Sequence, residues 1–113
     1  MQSREIHLKR YPEAVPAPED FELATVELPE PAEGQVVVRN RFLSVDPYMR
    51  GRMNPARNSY VAPFEIGKPL GGDAVGEVVA SRDPEFPIGS HVTSFLGWRE
   101  AFVAPGKRLA RID

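Results

Sequence analysis

Polar and apolar side chains alternate along Glu5-Ile6-His7-Leu8-Lys9-Arg10-Tyr11, the period of a β-strand. Pro12, Pro16 and Pro18 then interrupt regular structure. Phe21 to Leu28 is a second strand, closed by Pro29 and Pro31, and Gly34 ends the following turn. Gln35 to Leu43 carries the strongest strand signal. Val36, Val37 and Val38 favour extended backbone, and Arg39, Asn40 and Arg41 continue it with alternating exposure. Asp46-Pro47 reads as a helix start, because Asp caps free backbone N–H groups and Pro suits the first helical position. The helical turn, Tyr48 to Met53, is short and stops at Asn54-Pro55. Residues 54–70 read as a loop. Strands follow at Gly71 to Ala80, His91 to Leu96, Trp98 to Val103 and Lys107 to Ile112, with Asp83 to Gly89 as a turn and Gly97 in a tight turn.

Six or seven short strands with one or two helical turns predict a mainly β barrel or sandwich with irregular connections. No stretch after Arg57 keeps helical periodicity over three turns. A doubly wound cofactor domain, with strands alternating with helices, is therefore not expected within these residues.

Composition narrows the function classes. The 113 residues suit one domain, and 42% hydrophobic with 27% charged residues is a globular balance. Twelve prolines and nine glycines favour turns over long helices. The net charge of −2, mixed along the chain, gives no basic stripe for nucleic acid. No apolar run approaches the roughly 18 residues of a membrane span. The polar opening Met1 to Arg10 is unlike a signal peptide, so a cytoplasmic protein is expected. Cysteine is absent, which excludes disulfides and Cys-ligated zinc.

Gly71-Gly72-Asp73-Ala74-Val75-Gly76 is not a dinucleotide fingerprint, since β-branched residues stand where the helix should follow. Its glycines are read as allowing close backbone approach. His7 and His91 lie far apart, each in a strand pattern. Both are expected at surface or edge positions, without a chemical role, so no metal ligands are assigned. No G-x-S-x-G elbow exists. The junction Leu43-Ser44-Val45-Asp46-Pro47-Tyr48-Met49-Arg50-Gly51 is more suggestive, because a strand running into a capped helical turn is a common place for a ligand to meet a scaffold. Tyr48 is the polar aromatic there, and a half-buried packing tyrosine remains the alternative.

The run Asn40-Arg41-Phe42-Leu43-Ser44-Val45-Asp46-Pro47-Tyr48-Met49-Arg50-Gly51-Arg52-Met53 closely resembles the N-terminal signature of the leukotriene B4 dehydrogenase / prostaglandin reductase group. This is a zinc-independent branch of the medium-chain dehydrogenases/reductases. It includes plant double-bond reductases and bacterial curcumin-reductase-like enzymes. Ser59 to Gly67, Gly76 to Ser81 and Gly97 to Glu100 resemble its later segments in order. One departure is Gly89-Ser90-His91-Val92, where the group usually has Gly-Asp-x-Val; it is read as a surface-turn change.

The resemblance implies a GroES-like barrel over residues 1–113, acting as a substrate-side domain that packs against a Rossmann domain binding NADPH. It implies reduction of the carbon–carbon double bond of α,β-unsaturated ketones or aldehydes, without zinc. By resemblance Tyr48 and Tyr60 line the pocket as substrate-positioning or donor residues, and Met49 contacts the nicotinamide region. A homodimer through the missing domain is part of the same expectation, as is inactivity of the 113 residues alone. The competing reading is a free-standing GroES-like binding or scaffold module without enzymatic activity.

Overall fold

The computed structural model describes residues 1–13, 15–45, 49, 52–53 and 64–112. Seven strands form two antiparallel sheets. β1 (Gln2–Leu8) pairs with β2 (Phe21–Glu27), with Ile6 opposite Leu23. The larger sheet has the order β6-β3-β4-β5-β7. Its members are β3 (Gln35–Leu43), β4 (Ala74–Ser81), β5 (His91–Ser94), β6 (Ala101–Pro105) and β7 (Ala110–Ile112). Short 3-10 turns cover Pro18–Asp20 and Gly106–Arg108, and Met49 and Arg52 have helical backbone.

β3 sits between β4 and β6, which is why its valines are the most apolar run of the chain. Val36 and Val38 are fully buried against Val78, Val92, Phe86 and Phe102, forming one core beneath the five-stranded sheet. A second core joins Leu8, Met49, Met53, Phe64 and Leu70, with Ile6, Phe21 and Trp98 packed on it. Gly76 crosses β3 so closely that a Cβ there would meet Val38 and lie 2.9 Å from the Arg39 carbonyl. The close approach expected of this glycine run is thus realised at Gly76. Gly34 turns the chain into β3 with φ +82°, a conformation costly for other residues.

β1 differs from its sequence pattern. The expected strand begins at Glu5 and runs to Tyr11; the observed one spans Gln2–Leu8. Its polar face is covered rather than exposed. The Ser3 hydroxyl, fully buried, donates to the Ala101 carbonyl and accepts from its N–H, both at 3.0 Å. Glu5 is buried and lies 2.9 Å from His7 Nε2. His7 sits on a strand of the two-stranded sheet, an edge position as expected, but is half-buried rather than exposed; the partner that makes this tolerable is Glu5. His91 is exposed, as expected. β1 stops at Leu8 because the next two N–H groups, of Lys9 and Arg10, turn to the Asp20 carbonyl. The buried Asp20 carboxylate binds Arg10 Nε at 2.8 Å and the Ala17 N–H at 2.9 Å, fixing the proline loop beside the strand.

The two segments after Leu96 also differ from expectation. Trp98 does not open a strand, since β6 starts at Ala101. Lys107 and Arg108 belong to a 3-10 turn, leaving only Ala110–Ile112 extended. The helix start expected at Asp46-Pro47 and the loop positions 54–63 lie outside the described residues. Among the described residues, no helix is long and apolar enough to cross a membrane.

Candidate substrate cleft

An apolar cleft of about 640 Å³ opens where the β1–β2 pair meets the segments carrying Met49, Leu70 and Trp98. Ile6 and Leu23 reach it from neighbouring strands. Pro16 and Pro18 border it from the proline loop, and Met49 and Met53 form its floor. Glu22 is the one charged residue at its edge among the described residues. Met49 is only 3% exposed, because it also packs in the second core. Such a surface suits a ligand's apolar body and offers little to a charged group.

Trp98 is the most constrained wall of this cleft. Its backbone has φ 61°, the left-handed region, which a bulky side chain enters rarely. Strain of this kind costs about 1–3 kcal/mol and persists only where neighbours enforce it. The enforcing contacts are visible. The Asn40 amide donates to the carbonyls of Leu96 at 2.8 Å and Arg99 at 2.9 Å. Ile6 N–H donates to the Trp98 carbonyl at 2.8 Å. Gly97 lets the turn press against Gly72, since a Cβ at 97 would come within 3.0 Å of the Gly72 carbonyl. Among the described residues the buried indole Nε1–H has no hydrogen-bond partner, and the turn is held there by packing and backbone.

Arg99 ties the same turn to the cleft. Its Nε donates to the Gly97 carbonyl and its Nη2 to the Leu70 carbonyl, each at 3.1 Å. Burial pulls its guanidinium below the usual arginine range, and the nearby Glu5 carboxylate opposes that shift. Glu5 thus has the Arg99 guanidinium nearby and a hydrogen-bond partner in His7 Nε2. At the far end of β1, Arg4 and Glu100 form a two-pronged bond. Arg4 N–H and Nη2 donate to the two Glu100 oxygens at 2.8 and 2.9 Å. Those hydrogen bonds hold the exposed Glu100 carboxyl down at about 2.

Of the residues expected in the site, Met49 lies on the cleft floor. Tyr48 and Tyr60 lie outside the described residues. The third tyrosine, Tyr11, is committed to structure, its hydroxyl donating to the Phe64 carbonyl at 2.8 Å. Trp98, Ile6 and Leu23 were not foreseen as cleft residues. For Trp98 the available signal was a lone tryptophan following Gly97; its left-handed backbone leaves no trace in the pattern.

The described residues do not fit the phosphates of a dinucleotide. Gly76 is spent on the crossing with β3, Gly72 lies against the Trp98 indole, and no helix N-terminus faces the cleft among these residues. The cleft suits an uncharged ring or an apolar substrate instead. Nor is there, among the described residues, a group of three or more His, Asp or Glu side chains placed to hold a metal ion.

The chain is 39% identical to the NADPH-dependent curcumin reductase of Escherichia coli over 89% of its own length and 29% of that protein. It is 38% identical to the NADP(+)-dependent 2-alkenal reductase of Nicotiana tabacum, covering 97% of this chain and 33% of that one. The crystal structure of CurA from Vibrio vulnificus in complex with NADPH superposes with a TM-score of 0.88 at 37% identity, over 96% of this chain and 32% of that structure. The chain therefore spans about a third of the length of these relatives. Residues 4–112 match the family described as the N-terminal domain of oxidoreductase, and the chain belongs to that family.

Proposed function

We propose that the whole protein reduces the carbon–carbon double bond of α,β-unsaturated ketones and aldehydes with NADPH, and that this chain supplies the substrate-side wall of its active site. The observation that carries the reading is the apolar cleft with Met49 on its floor, one residue from Tyr48 in the chain. The names of the relatives, curcumin reductase and 2-alkenal reductase, support the substrate class.

When bound, NADPH supplies hydride to the β-carbon; its phosphates are held by residues outside those described here, in a Rossmann domain of the full-length protein. This chain has two tasks. The first is to keep the apolar body of the substrate out of water, which Ile6, Leu23, Leu70 and Trp98 can do. The second is to present a hydrogen-bond donor to the carbonyl oxygen, where negative charge grows during reduction. A phenol with a pKa of about 10 stays protonated near neutrality and is a suitable donor. We assign that role to Tyr60 and Tyr48, with positioning of the carbonyl as their first contribution, and we place Met49 beside the nicotinamide. A zinc-independent, cytoplasmic homodimer belongs to the same reading, carried over from the resemblance of the Asn40–Met53 run.

The test is steady-state kinetics of the full-length protein, following loss of NADPH absorbance with a simple enone. Tyr60→Phe and Tyr48→Phe are expected to alter substrate handling, lowering kcat/KM by about tenfold or more for at least one of them, as loss of an oxyanion donor does. Unchanged constants in both variants would remove the tyrosines from the site. Activity that appeared only after zinc was supplied would overturn the branch assignment.

A further inference from the structure

A second cleft, of about 670 Å³, lies against the first. It differs in character, with Arg4, Arg41, Arg99 and Glu100 at its edge beside Phe42 and Leu43. Three residues line both clefts: Ile6, Leu23 and Trp98. They are physically continuous. Ile6 and Leu23 are direct partners across β1 and β2, and Ile6 N–H is bonded to the Trp98 carbonyl. Together they form a ridge between an apolar volume and a polar-rimmed one.

The ridge is built unequally. Leu23 is 61% exposed and is placed by its pairing with Ile6. Trp98 is held in left-handed backbone by two Asn40 hydrogen bonds and by the Arg99 contact to Gly97. Backbone strain retained at the boundary of a cleft points to a constraint on what the cleft holds.

We propose that Trp98 is a specificity-determining residue: its indole is the partition that closes the apolar cleft against the second one and so limits the size of the substrate's apolar part. The proposal rests on the enone-reductase reading of the same site. It places compact unsaturated carbonyl compounds within the apolar cleft. Compounds with a second aromatic ring must cross the ridge on its Leu23 side.

The experiment compares full-length wild type with Trp98→Ala, Trp98→Phe and Leu23→Trp. The substrates are but-3-en-2-one and 1,3-diphenylpropenone. Trp98→Ala joins the two clefts and is expected to shift the kcat/KM ratio toward the diphenyl compound by about tenfold, the scale at which pocket shape discriminates. Trp98→Phe should shift it less. Leu23→Trp, made at an exposed side chain, raises the ridge and should shift the ratio the other way. Equal loss of both activities in folded Trp98→Ala would make the residue merely structural and overturn the proposal. If Trp98→Ala does not fold, an unchanged ratio in Leu23→Trp overturns it. If wild type reduces neither enone, the parent reading fails separately, and binding of the neutral fluorophore N-phenyl-1-naphthylamine decides the partition. Tighter binding by Trp98→Ala and weaker binding by Leu23→Trp are then expected; affinities unchanged from wild type would refute it.

Discussion

Asn40 offers the sharpest test of how the cleft wall is held. Its side-chain amide faces two backbone carbonyls, those of Leu96 and Arg99, so only the NH₂ end can point at them. Its Oδ1 is buried without a partner among the described residues. Replacing Asn40 with Ala removes two donors and orphans two carbonyls in a partly buried turn, each costing about 1–3 kcal/mol. It also removes one buried orphan acceptor, which returns about 1–3 kcal/mol. The net is a loss of about 1–3 kcal/mol. Replacement with Asp is worse. It keeps the size but turns one carboxylate oxygen onto both carbonyls and partly buries a charge, so the cost should exceed that of Ala by at least about 2 kcal/mol. For a domain of this size stability is of order 5–15 kcal/mol, and each kcal/mol moves Tm by about 4–8 °C. Urea denaturation of wild type, Asn40→Ala and Asn40→Asp measures the series directly. Fluorescence adds a local readout, since Trp98 is the only tryptophan in these 113 residues and should redden when its turn loosens. An Asp variant as stable as the Ala variant, or an Ala variant within 0.3 kcal/mol of wild type (about the error of such measurements), would refute this account of the turn.

Three further outcomes are expected. Gly76→Ala should cost about 1–3 kcal/mol or more, because the new methyl meets Val38 and the Arg39 carbonyl at the crossing of β3 and β4; thermal denaturation checks it. Leu8→Ala, at a fully buried position beside Met49 and Leu70, should cost about 2–5 kcal/mol in the same assay and leave the core under Val36 and Val38 intact. Glu100 gives a pH signature: its folded pKa is depressed, so its contribution is complete above the ordinary value of 4.5 and is lost as pH falls toward about 2. NMR titration should find the Glu100 carboxyl at about 2, and Arg4→Met should raise it only part of the way, because the backbone N–H of residue 4 still donates to it; high salt should reduce the side-chain part of the shift.

Much of the larger sheet was legible because its physics is local. Gln35–Leu43 matches its expected limits, since three consecutive valines buried on both faces announce a central strand and Gly34 marks the turn before it. β1 was harder. Ser3 and Glu5 look like solvent-facing positions, yet they are buried, and the Ser3 partner lies 98 residues away at Ala101. No window along the sequence carries that information. The cleft was legible in part. The strand-to-helix junction singled out Tyr48, which lies outside the described residues; Met49, named through the resemblance, lines the cleft. The pattern reads Trp98 as the start of a strand and Gly97 as the turn before it. The left-handed residue is instead Trp98, held there by Asn40 from another strand. Tertiary hydrogen bonds overrode local preference at this residue of the cleft lining.

The most direct test of the central claim is the product formed by the full-length protein from NADPH and an enone, identified by mass spectrometry and NMR. The account predicts the saturated ketone, with hydrogen added at the β-carbon and the carbonyl retained, and no turnover of that ketone when it is supplied in its place. An allylic alcohol as product, or reduction of the saturated ketone, would show attack at the carbonyl and contradict it.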